Sequence, residues 1–243
     1  MKVRDFVQSG KIGPVVVGRC CRVSNMWPDG IGSPPDSEPP AGLDWDMWLG
    51  PRAYRPFNPA IAPYKFRWHK DFSAQLANWG VHYVDAFRMA LGEEVPTSIC
   101  AMGGRYLLND ARTIPDTMEA IFEFPSKRMV HFSQYETSSN PILRSGMVEF
   151  RGTVGTLYYE GANFVVVPEF GGQFQDRERR MAPVEEKGSV GDPDDTLPSG
   201  TLRIIAITFA GGTVATIHTL QTAHTATMRH TRQSSHYRRP LLA

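Results

Sequence analysis

The sequence has few cysteines, no long apolar run and no excess charge of either sign. Its three cysteines, Cys20, Cys21 and Cys100, form neither a disulfide framework nor a paired zinc-ligand pattern, and they are typical of a reducing compartment such as the cytoplasm. No stretch of about eighteen apolar residues could cross a membrane. The 26 basic and 25 acidic side chains give a net charge of +1. We therefore expect neither nucleic acid nor a membrane as a partner.

The common self-sufficient catalytic motifs are also missing. No GxGxxG follows a predicted strand, and no GxxxxGK[ST], GxSxG or HExxH is present. The run "GGRYLLND" contains two glycines but lacks the strand–loop–helix context of a phosphate cradle. We therefore expect no Rossmann domain, no cofactor-binding residues and no metal site in this sequence.

The clearest helical pattern covers Gln75–Leu91 and ends at Gly92, a residue type that commonly terminates helices. Apolar residues recur there at steps of three and four, which predicts one buried stripe. The members of that stripe are Leu76, Trp79, Tyr83, Phe87 and Ala90.

Strand patterns dominate the rest of the first 170 residues. The β-branched run Pro14–Val23 predicts a buried strand, and Asp116–Phe124 alternates apolar and polar residues. Further short strands are predicted near Met129–Tyr135, Met147–Phe150, Gly155–Tyr159 and Phe164–Val167. These patterns predict an α+β fold, an open and predominantly antiparallel sheet with helices packed on one face.

Two segments do not follow these patterns. Residues 24–63 are rich in proline and glycine but also carry several large aromatic rings, which indicates an ordered surface loop. Residues 196–243 contain no acidic residue, and four histidines stand six residues apart there, a spacing that matches no standard metal-ligand pattern. The expected organisation is a junction helix in 1–13, a domain over 14–195, and an atypical tail over 196–243 that is disordered or frame-shifted.

Several long motifs occur in a characteristic order. They include "GLDWDMWLGP", "FRWHKDFSAQLANWGVHYVDAFRMALG", "GGRYLLNDARTIPDTMEAIFEF" and "FRGTVGTL". Over roughly Val3 to Val167 the chain resembles the C-terminal substrate domain of bacterial Gfo/Idh/MocA-type oxidoreductases. The resemblance implies an open antiparallel sheet whose face mediates homo-oligomer formation. It also implies NAD or NADP as cofactor, with the nucleotide site and catalytic lysine on a preceding Rossmann domain that this sequence lacks.

The resemblance assigns a role to His82. The matching histidine in the family points into the cleft beside the nicotinamide and is assigned to proton transfer at the substrate hydroxyl. Histidine suits this task because it exchanges protons near neutral pH. Without the resemblance, a single helical histidine is most often structural. Many relatives carry aspartate where this chain has Asn78, one helical turn before His82, so the histidine lacks that charged partner.

Four residues near His82 are candidates for substrate binding: Trp68, Lys70, Asp71 and Asn78. An indole ring can stack on a sugar, although core or loop packing is the more common role of such a ring. Lys70 and Asp71 could reach substrate hydroxyls or could form a solvated pair.

The expected function is the substrate-binding half of an NAD(P)-dependent oxidoreductase that acts on a sugar, cyclitol or related polyol. Such a fragment would be inactive alone, because the cofactor carries the hydride chemistry. The alternative is a non-catalytic domain that forms oligomers or binds carbohydrate.

Overall fold

The computed structural model describes residues 3–93, 95–144, 146–160 and 163–186. Its helical elements are α1 (Val3–Gln8), α2 (Trp45–Leu49), a 3₁₀ helix (Lys65–Trp68), a π-helical turn (Leu76–Gly80) and α3 (Val81–Leu91). Its strands are β1 (Val15–Asn25), β2 (Ser98–Gly104), β3 (Thr117–Glu123), β4 (Met129–Tyr135), β5 (Thr137–Ser138), β6 (Val148–Gly152), β7 (Gly155–Glu160), β8 (Asn163–Pro168) and β9 (Val184–Glu186).

The described strands form one open nine-stranded sheet in the order β2-β3-β4-β1-β6-β7-β8-β9, with β5 paired to the end of β1. All neighbouring pairs are antiparallel except β1 and β4, which run parallel with Val17 opposite Met129 and Val23 opposite Tyr135. The predicted α+β class with a mostly antiparallel sheet is confirmed. Each strand predicted from alternation is present, whereas β2, β5 and β9 were not predicted.

The helices α1 and α3 cover one face of this sheet. Phe6 of α1 lies 5.1 Å from Phe164 between ring centroids, and Phe87 of α3 lies 4.7 Å from Phe150. The main core therefore forms between this helix layer and the alternating inward residues of the strands. The buried members on β3 and its end are Met118, Ala120, Phe122 and Phe124, the face predicted from the sequence.

Gly18 allows α3 to approach the centre of the sheet. A Cβ at this position would lie 2.4 Å from Cε1 and 2.6 Å from Cδ1 of Phe87, a fully buried ring. Because that ring is fully buried and also packs on Phe150, the residue paired with Gly18 on β6, it cannot move aside without disturbing the core.

Gly18→Ala is therefore expected to lower the free energy of unfolding by about 1–3 kcal/mol, the typical cost of overpacking. Urea denaturation measures the change. Gly172→Ala is the matched control, since a Cβ there meets nothing within 4 Å, and it should change stability by less than about 0.5 kcal/mol. Equal stability of the two variants would contradict this packing.

The predicted helix is present but starts with a π-helical turn, which changes its buried face. Leu76, Phe87 and Ala90 are buried as predicted, whereas Trp79 and Tyr83 are only half-buried and pack at the edge of the core. Each π-type hydrogen bond spans five residues instead of four, so the turn shifts the residues that follow it around the helix axis. Val84 consequently takes the buried place that was predicted for Tyr83.

A second small core anchors part of the segment 24–63. Trp45 is buried, stacks on Trp48 at 4.8 Å and meets Phe57 edge-on at 5.2 Å. Trp48 also contacts Phe66 and Phe72. These rings fix the loop against the segment that precedes α3.

Residues 187–243 lie outside the described ranges, and so does the expectation for the tail 196–243. None of the helices in the described ranges has the length and apolarity needed to cross a bilayer.

Candidate functional site

His82 is the exposed histidine of the described residues. His69 is 3% exposed, its Nε2 lies 2.7 Å from the carbonyl oxygen of Ala60, and burial lowers its pKa. His131 on β4 is half-buried, and burial and the charge of Arg19 lower its pKa. His82 lies on the first turn of α3 with its ring at the protein surface. His82 is therefore accessible to a ligand, whereas the other two are packed within the fold.

The turn that carries Asn78 is the π-helical turn, and it places this residue beside the 3₁₀ helix. The side-chain oxygen Oδ1 of Asn78 accepts a hydrogen bond from Nε of Arg67 at 3.3 Å. Trp79, the next residue, lies 6.5 Å from the His82 ring between centroids. Asn78 and His82 are four residues apart and so lie about one turn from each other on the same side of the helix. The side chains of Arg67, Asn78 and His82 thus follow one another along this surface.

A buried carboxylate holds the 3₁₀ helix and the start of the π-helical turn together. Oε1 of Glu136 accepts hydrogen bonds from Nε1 of Trp68 at 2.8 Å and from Nε2 of Gln75 at 2.6 Å. Burial raises the pKa of Glu136, and Arg112, Trp68 and Gln75 oppose that rise because they stabilise the ionised form. The indole N–H of Trp68 is therefore already hydrogen-bonded within the protein. The ring is half-buried, so only part of it is available for stacking on a substrate.

Arg112 extends this network from Glu136 to a second carboxylate, that of Asp110. It is fully buried, donates through Nη1 to Oε2 of Glu136, and donates through Nε and Nη2 to the carboxylate of Asp110 at 2.8 Å each. Although burial disfavours the charged form, Asp110 and Glu136 raise the pKa of Arg112, so it remains a cation. Asp110 also accepts from the backbone N–H of Ile31 at 2.7 Å, which joins loop 24–63 to the network.

The sequence analysis missed these network residues. Arg112 and Asp110 stand in the run "NDAR" within one of the motifs shared with the family, which is a signal that could have drawn attention to them. Their partner Glu136 is 24 residues away from Arg112 along the chain. Only the pairing of β4 with the rest of the sheet brings these residues together.

Lys70 and Asp71 are held in place by hydrogen bonds of their main-chain atoms. The backbone N–H of Lys70 donates to Oγ1 of Thr113 at 2.7 Å, and the carbonyl oxygen of Asp71 accepts from Nε of Arg52 at 2.6 Å. Both residues are exposed, as expected for groups that could reach a ligand. Of the four predicted substrate-binding residues, the structure joins Asn78 and Trp68 to the framework around His82 by side-chain hydrogen bonds.

The loop that follows β2, Arg105 to Asn109, is closed by a carboxylate of the protein itself. Oδ2 of Asp116 accepts from the backbone N–H groups of Tyr106, Leu107 and Leu108 at 2.9–3.0 Å. Burial opposes ionisation, but these donors together with Thr117 hold the pKa of Asp116 below its ordinary value. Asp116 thus occupies three backbone N–H groups of "GGRYLLND" that a phosphate would otherwise need.

Metal binding is not supported among the described residues, where no group of three or more histidine, cysteine or acidic side chains could hold an ion.

The family model described as "Oxidoreductase family, C-terminal alpha/beta domain", that of Gfo/Idh/MocA proteins, matches residues 3–103. The matched segment includes the 3₁₀ helix, the π-helical turn and α3, so Arg67, Asn78 and His82 lie within it, whereas Asp110, Arg112 and Glu136 do not. The resemblance to the C-terminal domain of Gfo/Idh/MocA-type oxidoreductases is confirmed for residues 3–103. Among curated proteins, no sequence is significantly similar to this chain.

Three solved structures illustrate what the chain is similar to. A levoglucosan dehydrogenase in complex with NADH and L-sorbose is 14% identical, with a TM-score of 0.46 over 76% of this chain and 43% of that protein. An aldose-aldose oxidoreductase from Caulobacter crescentus, complexed with glycerol, is 15% identical, with a TM-score of 0.44 over 77% and 44%. A super-repressor mutant of Gal80p from Saccharomyces cerevisiae is 12% identical, with a TM-score of 0.46 over 79% and 44%. This chain therefore spans less than half the length of these proteins.

Proposed function

We propose that this chain is the substrate-binding half of an NAD(P)-dependent oxidoreductase that acts on a sugar, cyclitol or related polyol. One observation carries the proposal: His82 is exposed in the first turn of α3, within the segment that the family model matches. A buried hydrogen-bond network supports the neighbouring surface, through Glu136 with Trp68 and Gln75. A rigid support of this kind keeps a reacting group in place, which is what proton transfer requires.

In the proposed reaction the substrate carbon loses a hydride and its hydroxyl group loses a proton, so that a carbonyl forms. The nicotinamide supplies the hydride acceptor when it is bound to a nucleotide-binding domain. The loop that follows Gly103 and Gly104 is not open to the cofactor's phosphates, because the N–H groups of Tyr106, Leu107 and Leu108 are bonded to Asp116. The part assigned to this chain is therefore the proton, which passes from the hydroxyl group to His82.

Four residues are proposed to orient the substrate beside His82. The amide of Asn78 offers a donor at the same surface, and the half-buried ring of Trp68 on the 3₁₀ helix presents part of its apolar area. The exposed side chains of Lys70 and Asp71 follow directly after the 3₁₀ helix and can reach hydroxyl groups of a bound polyol. Polyols are recognised by such mixtures of ring faces and hydrogen-bonding groups.

The test is a chimera in which the Rossmann domain of a related oxidoreductase is joined ahead of α1. We expect NAD(P)-dependent oxidation of a polyol or sugar by the chimera and neither NAD(P)H binding nor turnover by the chain alone, since the cofactor carries the hydride chemistry. Stopped-flow absorbance at the nicotinamide band measures turnover, and fluorescence titration measures NAD(P)H binding. A correctly folded chimera that binds NADH yet oxidises none of a broad panel of polyols would contradict the proposal.

The same preparations distinguish the alternative of a non-catalytic domain. We propose that the sheet face opposite α3 forms the contact between copies of this chain. This face carries two arginines, Arg19 and Arg151, that both form ion pairs with the buried Glu149. Sedimentation equilibrium should therefore give a homo-oligomer that Arg151→Glu dissociates, because the side chain of Arg151 is exposed on this face. An oligomer without any turnover in the chimera would favour the non-catalytic alternative, and a monomer would contradict the proposed contact.

A further inference from the structure

We propose that Arg67 binds an anionic group of the substrate, so that the natural ligand is a sugar or polyol that carries a carboxylate or a phosphate. The inference deepens the proposed function and rests on the same surface around His82. It starts from the way in which this arginine is held.

Two aromatic rings fix the position of the Arg67 guanidinium. Its Cζ lies 4.0 Å from the ring centroid of Tyr64 and 4.6 Å from that of Phe66. Nη1 donates to the carbonyl oxygen of Tyr64 at 2.8 Å, and Nε donates to Oδ1 of Asn78 at 3.3 Å. An arginine stacked in this way has lost much of its side-chain freedom before any ligand arrives, which lowers the cost of binding.

The charge of Arg67 is not neutralised by any acid among the described residues. The ion pairs there involve other arginines, such as Arg112 with Glu136 and Arg128 with Glu93, and none includes Arg67. Its partners are a carbonyl oxygen, an amide oxygen and two rings, all of them neutral. A half-buried, ordered cation with only neutral partners is suited to receive an anion.

A second arginine lies against Trp79, the residue that follows Asn78. Arg22 of β1 lies over the ring of Trp79, with its Cζ 4.3 Å from the centroid, and it also forms no ion pair with a described acid. The Trp79 ring lies 6.5 Å from the His82 ring between centroids. Arg67 and Arg22 thus place two cations against neighbouring residues of the π-helical turn that precedes His82, and they favour a negatively charged ligand there.

The spacing of the groups indicates how such a ligand would lie. Arg67 contacts Asn78, and His82 follows four residues later, about one helical turn further along the chain. A polyol acid that places its anionic group on Arg67 therefore brings a hydroxyl group a few carbon atoms away to His82. The planar guanidinium can donate two parallel hydrogen bonds to a carboxylate or a phosphate, which a neutral polyol cannot accept in that form.

The experiment compares three ligands of the full chain by isothermal titration calorimetry: D-gluconate, D-glucitol 6-phosphate and neutral D-glucitol. We expect at least one of the two anions to bind at least ten-fold more tightly than D-glucitol, and the tighter of the two identifies the anionic group. Arg67→Met should weaken that binding at least ten-fold, and Arg67→Lys should weaken it less.

Arg179→Met is the matched control. Arg179 also lies over an aromatic ring, with its Cζ 6.0 Å from the centroid of Phe170, but it is exposed and the structure does not place it against Asn78. It should leave the affinity for the anion unchanged. Equal affinity for all three ligands, no binding by any of them, or an Arg67→Met affinity equal to that of the wild type would overturn the proposal.

The chimera separates this inference from the proposed function. Anion binding that depends on Arg67, without turnover in the chimera, would support the anion site and count against the oxidoreductase function. Turnover of neutral and acidic polyols with the same kcat/KM, unchanged by Arg67→Met, would support the oxidoreductase function and overturn the anion site.

Discussion

Replacing His82 by alanine in the active chimera is expected to lower kcat by roughly 10²–10⁴, the usual contribution of a positioned acid–base group. The side chain is exposed and contacts only the edge of the core through Trp79, so its loss should not disturb the fold. KM should change less than kcat, because the proton is transferred in the transition state and not in the ground-state complex. Steady-state kinetics together with circular dichroism of the same preparations measures both effects.

Cys100→Ser is the control for this variant. Cys100 is exposed on β2 and alternates with the inward residues Ile99 and Ala101, so it points away from the helix layer. Its replacement should leave kcat within about two-fold of the parent, as expected for a surface change far from the site. An unchanged kcat in His82→Ala would show that the histidine is structural and would remove the mechanistic part of the proposal.

The second large effect concerns Arg112. Arg112→Met should reduce the free energy of unfolding by about 3–5 kcal/mol, because it leaves the buried carboxylates of Asp110 and Glu136 without their cation. The methionine fills much of the volume, so the loss measures the missing charge and hydrogen bonds more than an empty cavity. Chemical denaturation at pH 7 measures it.

Arg105→Met provides the comparison for Arg112→Met. Arg105 is exposed and donates only to the carbonyl oxygen of Asp110 at 2.9 Å, so its loss should cost less than about 1 kcal/mol. If the two variants were equally stable, the buried network would not support the surface around His82. Trp68 and Gln75 share Glu136 with Arg112, so Arg112→Met should also lower the activity of the chimera.

The layers of the fold could be predicted from the sequence because each strand and helix leaves a local periodic signal. The alternation of Thr117–Glu123 predicted both the strand β3 and its buried face. The parallel contact between β1 and β4 could not be predicted, since more than one hundred residues separate the strands and no local pattern encodes which strands become neighbours. The strand β2 was also missed, because its alternating small residues in "SICAMGG" give a weak signal.

The sequence alone, by its motifs, indicated the family whose model matches residues 3–103 and placed Asn78 and His82 on one side of a helix. It could not show the π-helical turn, because a single additional residue in a turn leaves the apolar pattern almost unchanged. The tertiary structure decided which side chains surround His82. Arg67 reaches Asn78 from a separate helix, and Glu136 reaches Trp68 across 68 residues of chain. Such contacts depend on the packing of distant segments, and short-range sequence patterns carry no record of that packing.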